Sequence, residues 1–176
     1  MSTVKLLEYP TEKDWLEVKR RALVTAGLTP KNAPDAEWKH AILEARHSPI
    51  RYLRFSFYIE CPYWVSVHLC RHVHAQPYVR SQRNDRQGDY DRNSAPQDAP
   101  VSMILDVNAE ELMVMANKRL CNKAAAETRG VVSAMCLAVQ NACPEFDGLL
   151  VPMCIYNGGV CHEMFSCRKD NDNGRT

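Results

Sequence analysis

Residues 51–70 read RYLRFSFYIECPYWVSVHLC and carry the clearest structural signals in the chain. In the first half of this stretch, apolar and polar side chains alternate. The apolar positions on one side are Leu53, Phe55, Phe57 and Ile59. A period of two predicts a strand with one buried face. Pro62 then stands where the first turn of a helix accepts proline, so a short apolar helix is expected to follow, up to Cys70.

The next thirteen residues concentrate positive charge at the end of this predicted helix. Residues 71–83 read RHVHAQPYVRSQR and include two histidines, three arginines and a serine. Guanidinium groups pair bidentately with phosphate oxygens, so the cluster suits a phosphate-bearing ligand. A solvated polar turn without a ligand explains the composition equally well. The chain's formal net charge of +1 argues against a general nucleic-acid partner, which would need a strongly basic face.

Helical spacing of apolar residues predicts four further helices around this unit. They span residues 11–25, 35–46, 108–121 and 123–142. Asn108 has the properties of an N-cap, and Glu111, three residues later, would complete a capping box. Arg119 lies near the end of the same helix. An arginine there often only complements the helix dipole, so its position alone does not indicate a ligand.

The pattern as a whole predicts an α+β fold, with a small mixed or antiparallel sheet flanked by helices. Short strands are expected at residues 101–107 and 149–154 in addition to the first one. A single domain over residues 1–176 accounts for the length. Residues 80–100 are polar and predict a long loop, and such loops in small domains are often functional.

Two observations concern the cellular compartment. The N-terminal segment has no apolar run of signal-peptide length, and no stretch approaches the roughly 20 apolar residues that a membrane span needs. The eight cysteines fall largely within apolar helix and strand patterns. We therefore expect reduced thiols in a cytoplasmic protein with no membrane partner.

The segment 153–176 is a cysteine-containing tail and holds a weak candidate metal site. Cys154, Cys161 and Cys167 surround Gly158-Gly159 together with His162, and soft ligands of this kind can hold zinc. The spacing lacks the paired Cys-x-x-Cys pattern of typical zinc sites. The sequence therefore predicts no metal.

Taken together, the charged motifs resemble the flavin-dependent thymidylate synthase family. Its signature is Arg-His-Arg, seven further residues, a serine and another arginine close by. Here Arg71-His72-Val73 is followed by seven residues and then by Ser81 and Arg83. Further on, Asn108 begins a helix that reaches Arg119, and Ala126-Glu127-Thr128-Arg129 is similar to the family's Ala-Gln-x-Glu-Ile-Arg stretch. The resemblance covers most of residues 46–152.

The resemblance implies an enzyme that passes the methylene of methylenetetrahydrofolate to C5 of dUMP and yields dTMP. FAD would be bound between the subunits of a homotetramer, and NADPH would reduce it. On the flavin side the implied residues are Arg71, His72, Ser48 and Asn108. On the substrate side, Ser81 and Arg83 would hold the phosphate and sugar of dUMP, and Arg119 would reach the pyrimidine. Ser81 and Arg119 are the catalytic candidates, since a fixed cation stabilises enolate-like charge on uracil.

The chain departs from the family pattern at three positions near these residues. Val73 and Glu110 stand where the family has arginine, and Val79 stands where a glutamate is usual. Two alternatives to thymidylate synthesis therefore stay open. One is a family member that modifies another pyrimidine nucleotide, and the other is a non-catalytic nucleotide- or zinc-binding protein on the same scaffold.

Overall fold

In this computed structural model, residues 2–83 and 91–167 are described, and they contain four strands and six α-helices. The strands are β1 (Thr3–Glu8), β2 (Arg54–Pro62), β3 (Gln76–Val79) and β4 (Pro100–Asn108). The helices are α1 (Glu12–Val24), α2 (Ala36–Glu44), α3 (Tyr63–Cys70), α4 (Ala109–Arg119), α5 (Ala126–Ala142) and α6 (Met153–Tyr156). Two 3₁₀ turns lie at Ser48–Tyr52 and Pro144–Phe146.

The strands form one antiparallel sheet in the order β1-β2-β4-β3. The two central strands pair along their whole length, from Arg54 opposite Asn108 to Pro62 opposite Pro100. The predicted α+β class with an antiparallel sheet is therefore confirmed. Since β2 continues directly into α3 and β4 directly into α4, the central pair fixes where both of these helices begin.

The alternation that predicted β2 describes its buried face correctly. Leu53, just before the strand, and Phe55, Phe57 and Ile59 within it are all buried. The intervening residues from Arg54 to Glu60 are half-buried or exposed. Helices α4 and α5 contribute Leu112, Met115 and Met135 to the same core. The ring of Phe146 meets Phe55 edge to face, with centroids 5.4 Å apart. One apolar layer thus holds the helices against the sheet.

Three features of the chain differ from the sequence-based expectations. Strands β1 and β3 were not predicted; both lie at the edges of the sheet, and β3 contains Pro77, which an edge position tolerates. The strand expected at 149–154 is wrong. Leu149 and Leu150 are buried in a turn. Pro152 has no N–H to donate to a neighbouring strand, and the one-turn helix α6 begins directly after it.

The remaining expectations concern the loop, the thiols and the membrane. Within the predicted loop 80–100, residues 80–83 and 91–99 contain neither helix nor strand, and residues 84–90 lie outside the described part, as does the end of the tail from 168. All eight cysteines are unpaired. None of the helices in residues 2–83 and 91–167 is long and apolar enough to cross a membrane.

Candidate active site

A cavity of about 470 Å³ lies where the end of α3 meets the junction of β4 and α4. Its volume is within the range of small-molecule sites. The polar lining includes Arg51, Arg71, His72, His74, Asn108 and Glu110. Two chain segments that are distant in the sequence therefore form one polar cavity beside the sheet.

Asn108 fixes the first turn of α4 at the edge of this cavity. Its Oδ1 accepts the backbone N–H of Glu111 at 2.9 Å, which confirms the predicted N-cap. The Glu111 carboxylate, however, does not complete the expected capping box. Its Oε1 lies 2.8 Å from Nδ1 of His72, which is 39 residues away in the sequence. The Asn108 amide Nδ2 is left able to donate to a ligand.

His72 lies between an acidic and a basic side chain of α4, those of Glu111 and Arg119. Arg119 donates its Nε–H to Nε2 of His72 at 3.1 Å. An arginine nitrogen can only donate, so Nε2 must accept and the ring proton must be on Nδ1, facing Glu111. The side chains of His72 and Glu111 are only 8% and 6% exposed. The contacts therefore assign the tautomer of this buried imidazole.

The charge states follow from the same contacts. Burial lowers the pKa of His72 below its usual value and the Arg119 charge adds to this, while the Glu111 carboxylate opposes it. His72 is thus neutral at pH 7. Burial also lowers the pKa of Arg119, and the nearby Arg71 contributes. An arginine nevertheless keeps its charge in proteins, so the site holds a cation against a neutral imidazole.

Arg51 is a cavity residue that the sequence did not reveal. It reaches from the 3₁₀ turn before β2 to Glu110 in the first turn of α4, and the two side chains form an ion pair. This pairing lowers the pKa of the Glu110 carboxyl. The alternation pattern had placed Arg51 inside the strand, and no local signal connects it with a residue 59 positions later. The Glu110 carboxylate is thus paired with the Arg51 guanidinium at the cavity.

The predicted site residues divide into two groups. Arg71, His72 and Asn108 line the cavity, and Arg119 contacts His72 directly. Ser48, in contrast, is exposed at the start of the 3₁₀ turn and does not line it.

Ser81 and Arg83 lie beyond the end of β3, and they too are absent from the cavity lining in the described part of the chain. Both residues are exposed, and the backbone N–H of Arg83 donates to Oγ of Ser81 at 3.3 Å. The first motif is therefore split, since its arginine and histidine line the cavity and its serine and second arginine do not.

A second cavity, of about 280 Å³, gathers the tail cysteines at the C-terminal end of α4. Cys154, Cys161 and Cys167 line it together with Cys121 and His162. Within residues 2–83 and 91–167, no three metal-binding side chains are close enough to hold an ion together. The zinc interpretation therefore gains no support from this geometry.

We expect Glu110→Gln to strengthen anion binding in the first cavity. The change removes the carboxylate that neutralises Arg51 and keeps the side-chain size. The affinity for inorganic pyrophosphate should rise about two- to fivefold at low salt and return to the wild-type value at high salt, since an exposed charge is readily screened. Calorimetric titration measures this. The exposed Glu37 offers a matched control, and Glu37→Gln should leave the affinity unchanged. Equal affinities for Glu110→Gln and wild type at low salt would contradict the prediction.

Comparison with known proteins finds one matching family model and a solved structure with a similar fold. The model of the thymidylate synthase complementing protein family matches residues 87–145, which contain α4 with Asn108 and Arg119. A crystal structure of a UMP/dUMP methylase, PolB from Streptomyces cacaoi, bound with 5-Br dUMP, superposes with a TM-score of 0.67 at 16% identity. The alignment covers 86% of this chain and 97% of that one. No curated protein matches the sequence.

The family model confirms the predicted resemblance for the second motif, and the solved structure confirms it for the fold. The matched residues 87–145 contain the whole second motif, and the shared fold extends over 86% of the chain. The first motif, at residues 71–83, precedes the matched range of the family model.

Proposed function

We propose that this flavin-dependent thymidylate synthase-like protein transfers the methylene of methylenetetrahydrofolate to C5 of dUMP, with FAD and NADPH, and so forms dTMP. One observation carries the proposal: Arg71, His72 and Asn108, which the motifs implied for a flavin site, surround one cavity, and Arg119 adjoins it through His72. The family model over residues 87–145 and the fold shared with a UMP/dUMP methylase support it.

The residues around the cavity fit part of a flavin. A flavin ring presents hydrogen-bond acceptors at its edge, and the Asn108 amide and the Arg71 guanidinium are donors that line the cavity. The phosphates of FAD are anionic, and Arg71 adds positive charge at the exposed rim, where His74 offers a ring nitrogen for hydrogen bonding. The bound flavin supplies the redox chemistry, and the protein supplies binding and orientation.

Arg119 is the cation that the reaction needs at the pyrimidine. Its Nε bonds to His72 and one terminal nitrogen donates to the carbonyl of His68 at 2.9 Å. The other terminal nitrogen has no hydrogen bond within the described residues, so it is able to donate to a pyrimidine oxygen. For C5 of the nucleotide to attack the one-carbon unit, the ring must first carry enolate-like negative charge, and a cation held in a partly buried site stabilises this charge strongly.

Ser81 and Arg83 are proposed to hold the sugar and phosphate of dUMP. They lie past the end of β3 rather than in the cavity, so one copy of the chain does not bring both halves of the motif together. A homotetramer solves this problem if Ser81 and Arg83 of one subunit complete the cavity of another. The exposure of both residues fits such a role.

The activity is tested directly on purified protein. We expect it to take up FAD, to show flavin absorption, and to oxidise NADPH only when dUMP and methylenetetrahydrofolate are both present. Mass spectrometry should then find dTMP. A protein that neither binds added FAD nor forms a methylated nucleotide would overturn the proposal.

Another pyrimidine nucleotide is the second candidate substrate. The observation in its favour is that the solved structure with the same fold is described as a methylase of UMP as well as dUMP. Val79 and Glu110, which depart from the family pattern, lie on β3 and at the cavity. Parallel reactions with dUMP, UMP and dCMP, analysed by mass, separate the candidates.

We expect Arg83→Ala to weaken dUMP binding about tenfold, because a charge-assisted hydrogen bond to phosphate is lost. Flavin content should change little, because Arg83 is assigned to the phosphate and sugar of dUMP, whereas the flavin is assigned to Arg71, His72 and Asn108. Titration of the FAD-loaded protein with dUMP measures the dissociation constant. Arg92 is exposed in the same region and has no assigned role, so Arg92→Ala is the control. Wild-type nucleotide affinity in Arg83→Ala would remove this residue from the site.

A further inference from the structure

We propose that Glu111 is a positioning residue that holds His72 in one neutral tautomer, so that His72 in turn fixes the guanidinium of Arg119. The role of Arg119 toward the nucleotide rests on the proposed function, whereas the state of His72 does not. The family motif gives Glu111 no role, and the sequence offered only a helix cap for it.

The geometry supports a chain of three directed hydrogen bonds. Asn108 Oδ1 accepts from the backbone of Glu111 at 2.9 Å, which anchors the first turn of α4. The Glu111 carboxylate accepts from His72 Nδ1 at 2.8 Å, and His72 Nε2 accepts from Arg119 Nε at 3.1 Å. Residues 111 and 119 are about 12 Å apart along the helix axis. The imidazole therefore links two turns of α4 that do not contact each other directly.

The direction of these bonds depends on the acid. A neutral imidazole has one N–H, which is held on Nδ1 by the Glu111 acceptor beside Nδ1 together with the Arg119 donor beside Nε2. Without Glu111 the proton can move to Nε2, which would then oppose the Nε–H of Arg119, donor against donor. Arg119 would then lose its contact with His72 and keep only the one with the His68 carbonyl. The acid thus acts on the arginine through the histidine.

Among residues 2–83 and 91–167, the charged and titratable groups around His72 come from three places. Glu111 and Arg119 belong to α4, Arg71 and His74 to the segment after α3, and the Arg51–Glu110 pair also lines the cavity. Burial and Arg119 disfavour the imidazolium, and Glu111 alone favours it. At a pH below its lowered pKa, His72 gains its second proton, Nε2 stops accepting, and Arg119 is released. Activity should therefore decline only at pH values below those at which an ordinary histidine titrates.

Two substitutions separate orientation from charge. Glu111→Gln keeps an acceptor beside Nδ1 but removes the charge, so the tautomer should persist and the pKa of His72 should fall further, which moves the acid limb of kcat to lower pH. Glu111→Leu removes the acceptor. We expect it to lower kcat about 10- to 100-fold, the range seen when the partner that orients a histidine is lost, with little change in KM for dUMP. A merely structural role would affect both variants alike.

The experiment is nitrogen NMR of histidine-labelled, FAD-loaded protein, with His72 identified by the loss of its signals in His72→Asn. The expected result is an Nδ1–H tautomer at pH 7 in wild type and Glu111→Gln, a mixture in Glu111→Leu, and wild-type behaviour in the control Glu127→Gln. An Nε2–H or doubly protonated His72 in the wild type would overturn the proposal. If Glu111→Leu does not fold, the tautomer and titration of Glu111→Gln decide. A protein with the expected tautomer but no methyl transfer would refute the proposed function alone.

Discussion

Replacement of Arg119 by alanine is expected to lower kcat/KM for dUMP by about 10²- to 10³-fold, the usual loss when one preorganised donor to a developing anion is removed. The terminal nitrogen that has no hydrogen bond within the described residues is the group that would reach the pyrimidine. The other contacts, to His72 and to the carbonyl of His68, keep this nitrogen in place. Flavin content should fall little, because Arg71, His72 and Asn108 remain.

Two further variants make the Arg119 experiment specific. Arg119→Lys keeps the charge but has one nitrogen where the arginine uses three, so it should recover only part of the activity. Arg129→Ala is the matched control, because Arg129 bonds only to the backbone carbonyls of Asn122 and Ala124 among the contacts described, at 3.3 Å. Steady-state kinetics and the flavin absorption of each purified variant give both quantities. Wild-type nucleotide affinity and rate in Arg119→Ala would show that this arginine does not touch the substrate.

The elements with strong local signals were predicted from the sequence. The alternation in 51–60 and the proline at 62 gave the β2–α3 unit, although the first residues of the stretch form a 3₁₀ turn. Helices α1, α2 and α4 begin within one or two residues of their predicted starts. The edge strands β1 and β3 were missed because each pairs on one side only, and their burial alternates weakly.

The sequence named candidate site residues but not their contacts. The order and spacing of two motifs pointed to Arg71, His72, Asn108 and Arg119; the first three line one cavity and Arg119 bonds to His72, while their functional roles stay a prediction. The spacing of residues in the sequence does not reveal which acidic side chain contacts which basic one. The contacts of Glu111 with His72 and of Arg51 with Glu110 are therefore known only from the tertiary structure. Ser48 is a counter-example: the resemblance implied it for the flavin site, but its side chain does not line the cavity.

Removal of His72 is expected to affect stability and flavin retention together. In His72→Ala the Glu111 carboxylate, 6% exposed in the wild type, loses its partner in a nearly dry site. An unpaired buried charge of this kind costs about 3 kcal/mol in the free energy of unfolding. The variant also lacks a residue that lines the cavity, so flavin occupancy should fall. Urea unfolding followed by circular dichroism, and the flavin-to-protein absorbance ratio, measure the two effects.

The double variant His72→Ala/Glu111→Ala distinguishes these two consequences. Because it removes the stranded charge together with its partner, it should recover much of the stability lost in His72→Ala, while flavin occupancy stays low. The stability difference between wild type and His72→Ala should also depend on pH. The pKa of His72 is lowered by folding, so its contribution is complete above about pH 6.5 and is lost as pH falls from there toward the folded pKa. The difference should therefore narrow between pH 7 and 5. A double variant no more stable than His72→Ala would show that the carboxylate is not stranded, and that Glu111 finds another partner once the imidazole is gone.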